Sequence, residues 1–328
     1  MIDSCFVYTA QGCDPYINLA TEQYLLENLQ PGQCILYLWQ NQNTVVIGAN
    51  QNAWAECRTS LLEQEGGKLA RRLSGGGAVF HDLGNLNFTF LINDSDFDVA
   101  KQLSVIQKAC AYAGIETESS GRNDVLAAGR KFSGNAFYHS KGRSYHHGTL
   151  LVSADMQKLQ RYLSPSKAKL EAKGVASVRS RVINLSELAP SLTVTQLHDY
   201  MLDAFSAVYG TVAAPLHLSP DAQATIAETA NHISSWEYLY GTALSFTFQC
   251  QDRFNWGSIQ MQLDAKGGMI QAIKVYSDAM DWQLPQQLEK ALTGCRFSKE
   301  AICAQLAQMP VDTTVSKDLQ QLILLQDI

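Results

Sequence analysis

The chain has 328 residues, 46% of them hydrophobic and 17% charged, with a formal net charge of −6. That is enough chain for one large domain or two ordinary ones, and the acidic balance excludes a global basic field for nucleic acid or an anionic membrane, so any anion site must be local. Eight scattered cysteines without CxxC spacing, no leader-like N-terminus and no apolar run of membrane-span length argue against a disulfide framework, a zinc site or a membrane protein, and for a reducing, cytoplasmic setting.

Asp14-Pro15 opens a predicted helix to residue 29, with Asp14 as N-cap and Pro15 at the first helical position. Residues 34–39 and 44–47 read as short strands. The segment 69–90 then carries the densest signal. Arg71 and Arg72 precede Gly75-Gly76-Gly77, and the strand-like Ala78-Val79-Phe80 follows. Three consecutive glycines are costly to order, so the run makes sense where backbone comes close to something else. The cations mark that something as anionic. The loop is neither a Walker A motif nor a dinucleotide fingerprint. A hairpin turn would explain the glycines alone; Arg71, Arg72, Ser74 and His81 favour a ligand-cradling loop of N–H groups and a guanidinium. One or two strands follow between residues 79 and 92, broken near Gly84-Asn85.

Val99, Leu103, Ile106, Cys110 and Ala113 form one face of an amphipathic helix closed by Gly114. Next comes Gly121-Arg122-Asn123-Asp124, then Gly129-Arg130-Lys131-Phe132-Ser133-Gly134. Lys131 by itself reads as a solvated lysine on a hairpin. The local density of Arg, Lys and Asn, with the small Ser133, Gly134 and Ala136, points instead to a substrate site. Asp124 reads locally as a turn residue, with Mg²⁺ binding against phosphates as the alternative. His146 and His147 lie on a strand at 145–153 and point to opposite faces, so they cannot share one metal. Residues 173–181 read as a basic loop, either solvated or closing over a polyanion. A second helix spans 193–209 with Leu197, Met201 and Phe205 on its apolar face and Gly210 at its end.

After a loop-like stretch at 213–220, the alternation of Ile259, Met261 and Leu263, the turn through Gly267-Gly268 and a strand at 270–276 predict a hairpin. Helical segments near 286–292, 299–309 and 317–326 close the chain. Strands and helices mix without strict βαβ alternation, so the expected class is α+β. The expected units are 1–244 and a small α/β unit at 245–328. No hydrolase signature appears, since Ser133 lacks the GxSxG elbow.

Taken together, RRLSGGGAVFHD, GRNDV with GRKFSG, YHHGTLLV and KGVASVRSRVINL resemble the lipoate-protein ligase A family in order and spacing, over essentially the whole chain. The resemblance implies a large catalytic domain with a mixed sheet flanked by helices, plus a small accessory domain. It also implies two half-reactions. ATP and lipoate form lipoyl-adenylate and pyrophosphate; the acyl group then passes to a lysine of a lipoyl domain, in acyltransferase subunits of 2-oxoacid dehydrogenases or the H protein of glycine cleavage. By resemblance Lys131 is catalytic and contacts both the acyl carboxyl and the phosphate. Arg72 and the backbone of Gly77, Ala78, Val79 and Phe80 match nucleotide-binding positions. Asn123 and Asp124 match a polar pair near the phosphates, with Asp124 a contact for Mg²⁺. Ser74, Gly75, Gly76, His81, Ser133, Gly134, His147 and Gly148 are the expected lipoate contacts, and 173–181 matches a loop that folds over the adenylate. The stretch 125–130 is shorter than the hairpin of some members.

A thiol-dependent acyltransferase is disfavoured because no cysteine lies between Cys110 and Cys250. A transferase using preformed lipoyl-adenylate would keep the same loops. Biotin ligase matches the glycine loop and C-terminal unit less well. A non-catalytic lipoate-binding protein would have no need of both Lys131 and Arg72.

Overall fold

A computed structural model describes residues 2–120, 124–163, 182–240 and 248–326. Asn123 and the expected basic loop at 173–181 lie outside the described residues. The strands are β1 Ser4–Thr9, β2 Gln33–Trp39, β3 Thr44–Ile47, β4 Lys68–Arg71, β5 Val79–His81, β6 Asn85–Asn93, β7 Thr117–Ser120, β8 Asp124–Ala127, β9 Arg130–Ser140, β10 Arg143–Leu151, β11 Ala214–Pro215, β12 Phe248–Phe254, β13 Gly257–Lys266 and β14 Met269–Ser277.

An eight-stranded mixed sheet runs β11-β1-β2-β6-β10-β9-β8-β7, parallel at β11-β1-β2 and antiparallel beyond. Both faces of its centre are buried, which is why β2 reads as an unbroken apolar run, CILYLW. Leu36, Leu38, Phe88 and Phe90 face the helices Val99–Tyr112 and Val194–Tyr209. Ile35, Tyr37, Trp39, Leu91 and Tyr145 face the helix Pro15–Glu27 and the helix Pro220–Ile233. A three-stranded sheet, β4-β3-β5, lies beside this second face and carries the glycine loop between β4 and β5.

The expected caps are present. Asp14 accepts from the backbone N–H of Tyr16 and Ile17, Thr193 caps the helix Val194–Tyr209, and Gly210 ends it with φ +72°. Residues 248–326 build their own antiparallel sheet, β12-β13-β14, under three helices, around a separate core that includes Met261, Val275, Leu288 and Leu322. The turn between β13 and β14 uses Gly267 and Gly268, at φ +62° and +73°, the left-handed pair that a two-residue hairpin turn requires. The mixed-sheet α+β class with a small C-terminal unit is thus the observed one.

Among the elements that escaped the pattern reading are β1, β12 and one helix. β1 and β12 are strands with mixed faces. The helix Pro220–Ile233 begins where a loop was expected to give way to nothing regular; its signals were Ser219 as cap, Pro220 at the first position and the buried Ala222, Ile226, Ala230 and Ile233. Among the described residues no helix is long and apolar enough to cross a membrane. The cysteines are free, and burial pushes the thiols of Cys34, Cys57, Cys110 and Cys250 up to about 12.

Candidate functional site

A cleft opens between the eight-stranded sheet and the glycine loop. Its walls include Leu19, Trp39, Val46, Ala78 and Val79 on the apolar side, and Arg72, Gly76, Gly77, His81, Lys131, Gly134, His147 and Gly148 among the expected site residues. Ser74, Gly75, Phe80 and Ser133 are not in the wall. Phe80 packs its ring on Tyr162, 5.4 Å between centroids, so Val79 lines the cleft and the Phe80 ring does not. Ser133 is fully buried. A second, larger concavity of about 540 Å³ is lined by Arg130, Asp155, Asn184, Glu187 and neighbours. Arg130 is already paired with Glu187 at 3.1 Å, and the concavity has little apolar wall, so the first cleft is the better candidate site.

Each of the three glycines has a different reason. A Cβ on Gly75 would sit 2.4 Å from Ala279 O. Gly75 therefore admits the C-terminal unit, not a ligand. Gly76 has φ +89° and donates its N–H to Ala279 O at 3.2 Å. Gly77 meets nothing within 4 Å and leaves open space on the cleft side. The same contact includes Ser277 N–H to Asn50 O at 2.9 Å, Asn50 Nδ2 to Trp282 O at 2.8 Å and Trp282 against Tyr138.

The two arginines are staples. Arg71 donates to the carbonyls of Gly48, Ala49, Gln51, Tyr238 and Leu239, away from the cleft. Its expected place beside the anion is therefore corrected. Arg72 donates from Nε to Ser74 Oγ at 3.0 Å, and from its terminal nitrogens to Gly75 O, Gly77 O and Val46 O at 2.8, 2.7 and 3.2 Å. A guanidinium's rigid fork suits several carbonyls at once. Burial lowers the Arg72 pKa to about 10, which still leaves the group charged. No carboxylate ion-pairs with it among the described residues, so its positive field reaches into the cleft.

Behind the loop runs a buried relay. Ser74 Oγ accepts from Arg72 and passes its own hydrogen to His147 Nε2 at 2.8 Å; His147 Nδ1 donates to Glu22 Oε1 at 2.8 Å. Trp39 Nε1 donates to Thr89 Oγ1 at 3.1 Å, and Thr89 donates to the same Glu22 oxygen at 2.7 Å. Hydrogens are assigned here from the network. Glu22 is 2% exposed. It was overlooked in the sequence, although it sits among Leu19, Leu25 and Leu26 on the buried face of its helix, where an acid is out of place. His146 faces the other side of the sheet, held by Gln102 and Asn135, so the two histidines do point apart.

Lys131 stands at the β9 end of the cleft. Asp124 pairs with Gly134 across β8 and β9, so Lys131 crosses Gly134 to reach it, Nζ to Oδ1 at 2.6 Å. A Cβ on Gly134 would sit 3.0 Å from that ammonium. Asp124 is thus the lysine's partner, a role that local sequence did not show. Among the described residues no three His, Cys, Asp or Glu side chains cluster to hold a metal.

The arrangement is an apolar slot ending at a lysine beside a glycine loop, suited to bringing a carboxylate with an apolar tail against a phosphate. Comparison with known proteins agrees in fold and length. The Lipoyl protein ligase A/B catalytic domain matches residues 14–206, and the Bacterial lipoate protein ligase C-terminus matches 243–325. The lipoate-protein ligase A of Blochmanniella pennsylvanica is 42% identical over 297 residues, 88% of each chain. That of Psychrobacter cryohalolentis is 41% identical over 304 residues, 90% of each chain. Among solved structures, P. falciparum LipL1 in complex with lipoate has a TM-score of 0.87 at 27% identity, covering 98% of this chain and all of that one. A lipoate-protein ligase A bound with ATP has a TM-score of 0.63 at 23% identity, covering 73% and 98%, a likeness of fold.

Proposed function

The chain belongs to the lipoate-protein ligase A family, and from that premise we propose how its cleft performs the ligase reaction. The enzyme activates lipoate with ATP and transfers the lipoyl group to protein. A carboxylate is a poor electrophile, so its oxygen first attacks the α-phosphorus and pyrophosphate leaves. The amine of a target lysine then attacks the acyl carbonyl of the adenylate, AMP departs and the amine loses a proton. Two anions must meet in the first step, and fixed cations must offset their repulsion.

The observation that carries the reading is Lys131 at the open end of an apolar slot, opposite the N–H groups and guanidinium of the glycine loop. In this reading Lys131 exchanges Asp124 for the substrate carboxylate and α-phosphate. Arg72 holds Gly75 and Gly77 in shape and contributes its field without releasing its carbonyl partners. Gly77, Ala78 and Val79 offer backbone to the nucleotide, and the slot toward Trp39 takes the acyl tail. Mg²⁺ fits as an ion carried in by the phosphates and water, with Asp124 as its protein ligand; when bound it would offset phosphate charge. The partners are lipoyl domains, including those of 2-oxoacid dehydrogenase acyltransferases and the glycine cleavage H protein, in the cytoplasm. The catalytic domain is taken as 1–244 and the accessory domain as 245–328.

The Glu22–His147–Ser74 relay orients the loop. Glu22→Gln keeps the shape and removes the charge-assisted bonds from His147 and Thr89, and should lower kcat/KM for lipoate about tenfold. Steady-state kinetics with both substrates varied would read this; an unchanged value would show the relay to be idle.

The test of the function is a purified lipoyl domain incubated with the protein, ATP, Mg²⁺ and lipoate, followed by intact mass spectrometry. A single lipoyl addition dependent on ATP is expected. No addition, with no lipoate-dependent ATP–pyrophosphate exchange, would overturn it.

A further inference from the structure

Lys131 reaches the cleft because β9 carries a bulge. β8 pairs Val125 with Ser133 and Leu126 with Lys131, and Phe132 is skipped. In a regular strand, residues 131 and 134 would lie on opposite faces. The extra residue shifts the alternation by one. Lys131 and Gly134 therefore both line the cleft, and the ammonium lies over Gly134. Phe132 points the other way, into the core shared with the helices Val99–Tyr112 and Val194–Tyr209.

A polar bracket on that far face holds the strand just beyond the bulge. His146 is fully buried there, with the rings of Phe88, Phe90 and Phe137 at 5.4, 5.9 and 4.8 Å between centroids. Burial, with His147 nearby, lowers its pKa to about 3 and keeps the ring neutral. A neutral imidazole has one donor and one acceptor. Nε2 lies 2.8 Å from Asn135 Oδ1. Nδ1 lies 2.9 Å from the Gln102 amide, whose nitrogen has no other partner among the described residues. Amide ends are assigned from the network, so Gln102 Nε2 donates to Nδ1 and His146 Nε2–H donates to Asn135. Asn135 and Gly148 form the last pair of the β9–β10 ladder. A Cβ on Gly148 would sit 2.9 Å from Asn135 Oδ1 and 2.7 Å from Phe88 Cζ, so this glycine makes room for the bracket. Beyond that pair the ladder ends, and Gly134 N–H reaches Thr149 Oγ1 at 3.4 Å. A histidine among three phenylalanines costs stability unless its bonds are made, and a satisfied buried network specifies one arrangement.

We propose that His146 is a positioning residue of the ligase: from the face of the sheet opposite the cleft it ties Asn135 to Gln102, fixes the point where β9 leaves β10, and so sets the aim of Lys131. It touches no substrate and acts through the strand. The chemistry assigned to Lys131 rests on the ligase reading above; its aim rests on the strand geometry.

His146→Phe keeps a ring among the phenylalanines and removes both hydrogen bonds. Its kcat for lipoate-dependent pyrophosphate release should fall about tenfold, as expected when a reacting group is slightly misplaced. In the Lys131→Ala background the same substitution should bring no further loss, because no ammonium is left to misaim. A histidine that only supports the fold would cost the same factor in both backgrounds; that result, or an unchanged kcat, would overturn the proposal. A second readout does not need the reaction. Acetic anhydride labelling of Lys131, followed by peptide mass spectrometry, reports its pairing with Asp124. A misaimed Lys131 should label about threefold faster, and an unchanged rate would overturn the proposal too. Should His146→Phe fail to fold, Gln102→Met opens the outer end of the bracket and carries both measurements under the same criteria. Absence of pyrophosphate release by the wild-type protein would remove the ligase reading, while the labelling rates would still decide the aim of Lys131.

Discussion

Lys131→Ala should reduce lipoate-dependent pyrophosphate release by about 10²-fold or more, the largest activity loss expected of any single change in the cleft. The reason is the state of the two cations that line it. Arg72 commits its nitrogens to Ser74 Oγ and to the carbonyls of Val46, Gly75 and Gly77. Among the described residues Lys131 holds only Asp124, at 2.6 Å, in a pair that is about one-third exposed on both sides. A partly solvated ion pair is weak and exchangeable, so the ammonium can leave Asp124 for a ligand. The side chain lies over Gly134 and is about one-third exposed, so its removal opens no core cavity. Denaturant unfolding should therefore be nearly unchanged in this variant. Near-normal pyrophosphate release would remove Lys131 from the chemistry.

Arg72→Lys should show the opposite balance, with a loss of stability as well as activity. An ammonium has three donors on one atom and cannot span Ser74, Gly75, Gly77 and Val46 together. At least one of these four acceptors would be left buried without a donor, at a cost of about 1–3 kcal/mol. The loss should appear as a lower urea midpoint with little change in slope, and adenylation should fall with it because the glycine loop is no longer held. Wild-type unfolding in this variant would show that the loop keeps its shape without the guanidinium. Comparing the two variants separates a cation that acts on substrate from one that acts on the protein.

The glycine loop shows how far local sequence reaches. Its composition correctly marked a place of close backbone approach and local positive charge. It did not say what approaches. Gly75 is filled by Ala279 O, from more than two hundred residues later, whereas Gly77 keeps its space open. Likewise Arg71 and Arg72 are adjacent in the chain but turn to different sets of carbonyls, and only Arg72 borders the cleft. Glu22, Trp39 and Asn87 were invisible as site residues because each sits in an ordinary helix or strand pattern; only strand register brings Trp39, Asn87 and Thr149 into one row.

Periodicity and end signals in the sequence determined most regular elements: Asp14-Pro15 and Thr193 start helices, Gly210 ends one, and Gly267-Gly268 turns a hairpin. These depend on interactions within a few residues. The order of four motifs determined the family and hence the reaction. Tertiary structure alone decided which charges are spent on the protein and which remain for a ligand, because carbonyl and carboxylate partners come from distant segments. It gave Asp124 to Lys131 and Glu22 to His147, and among the described residues it left the buried His81 Nε2 without a partner.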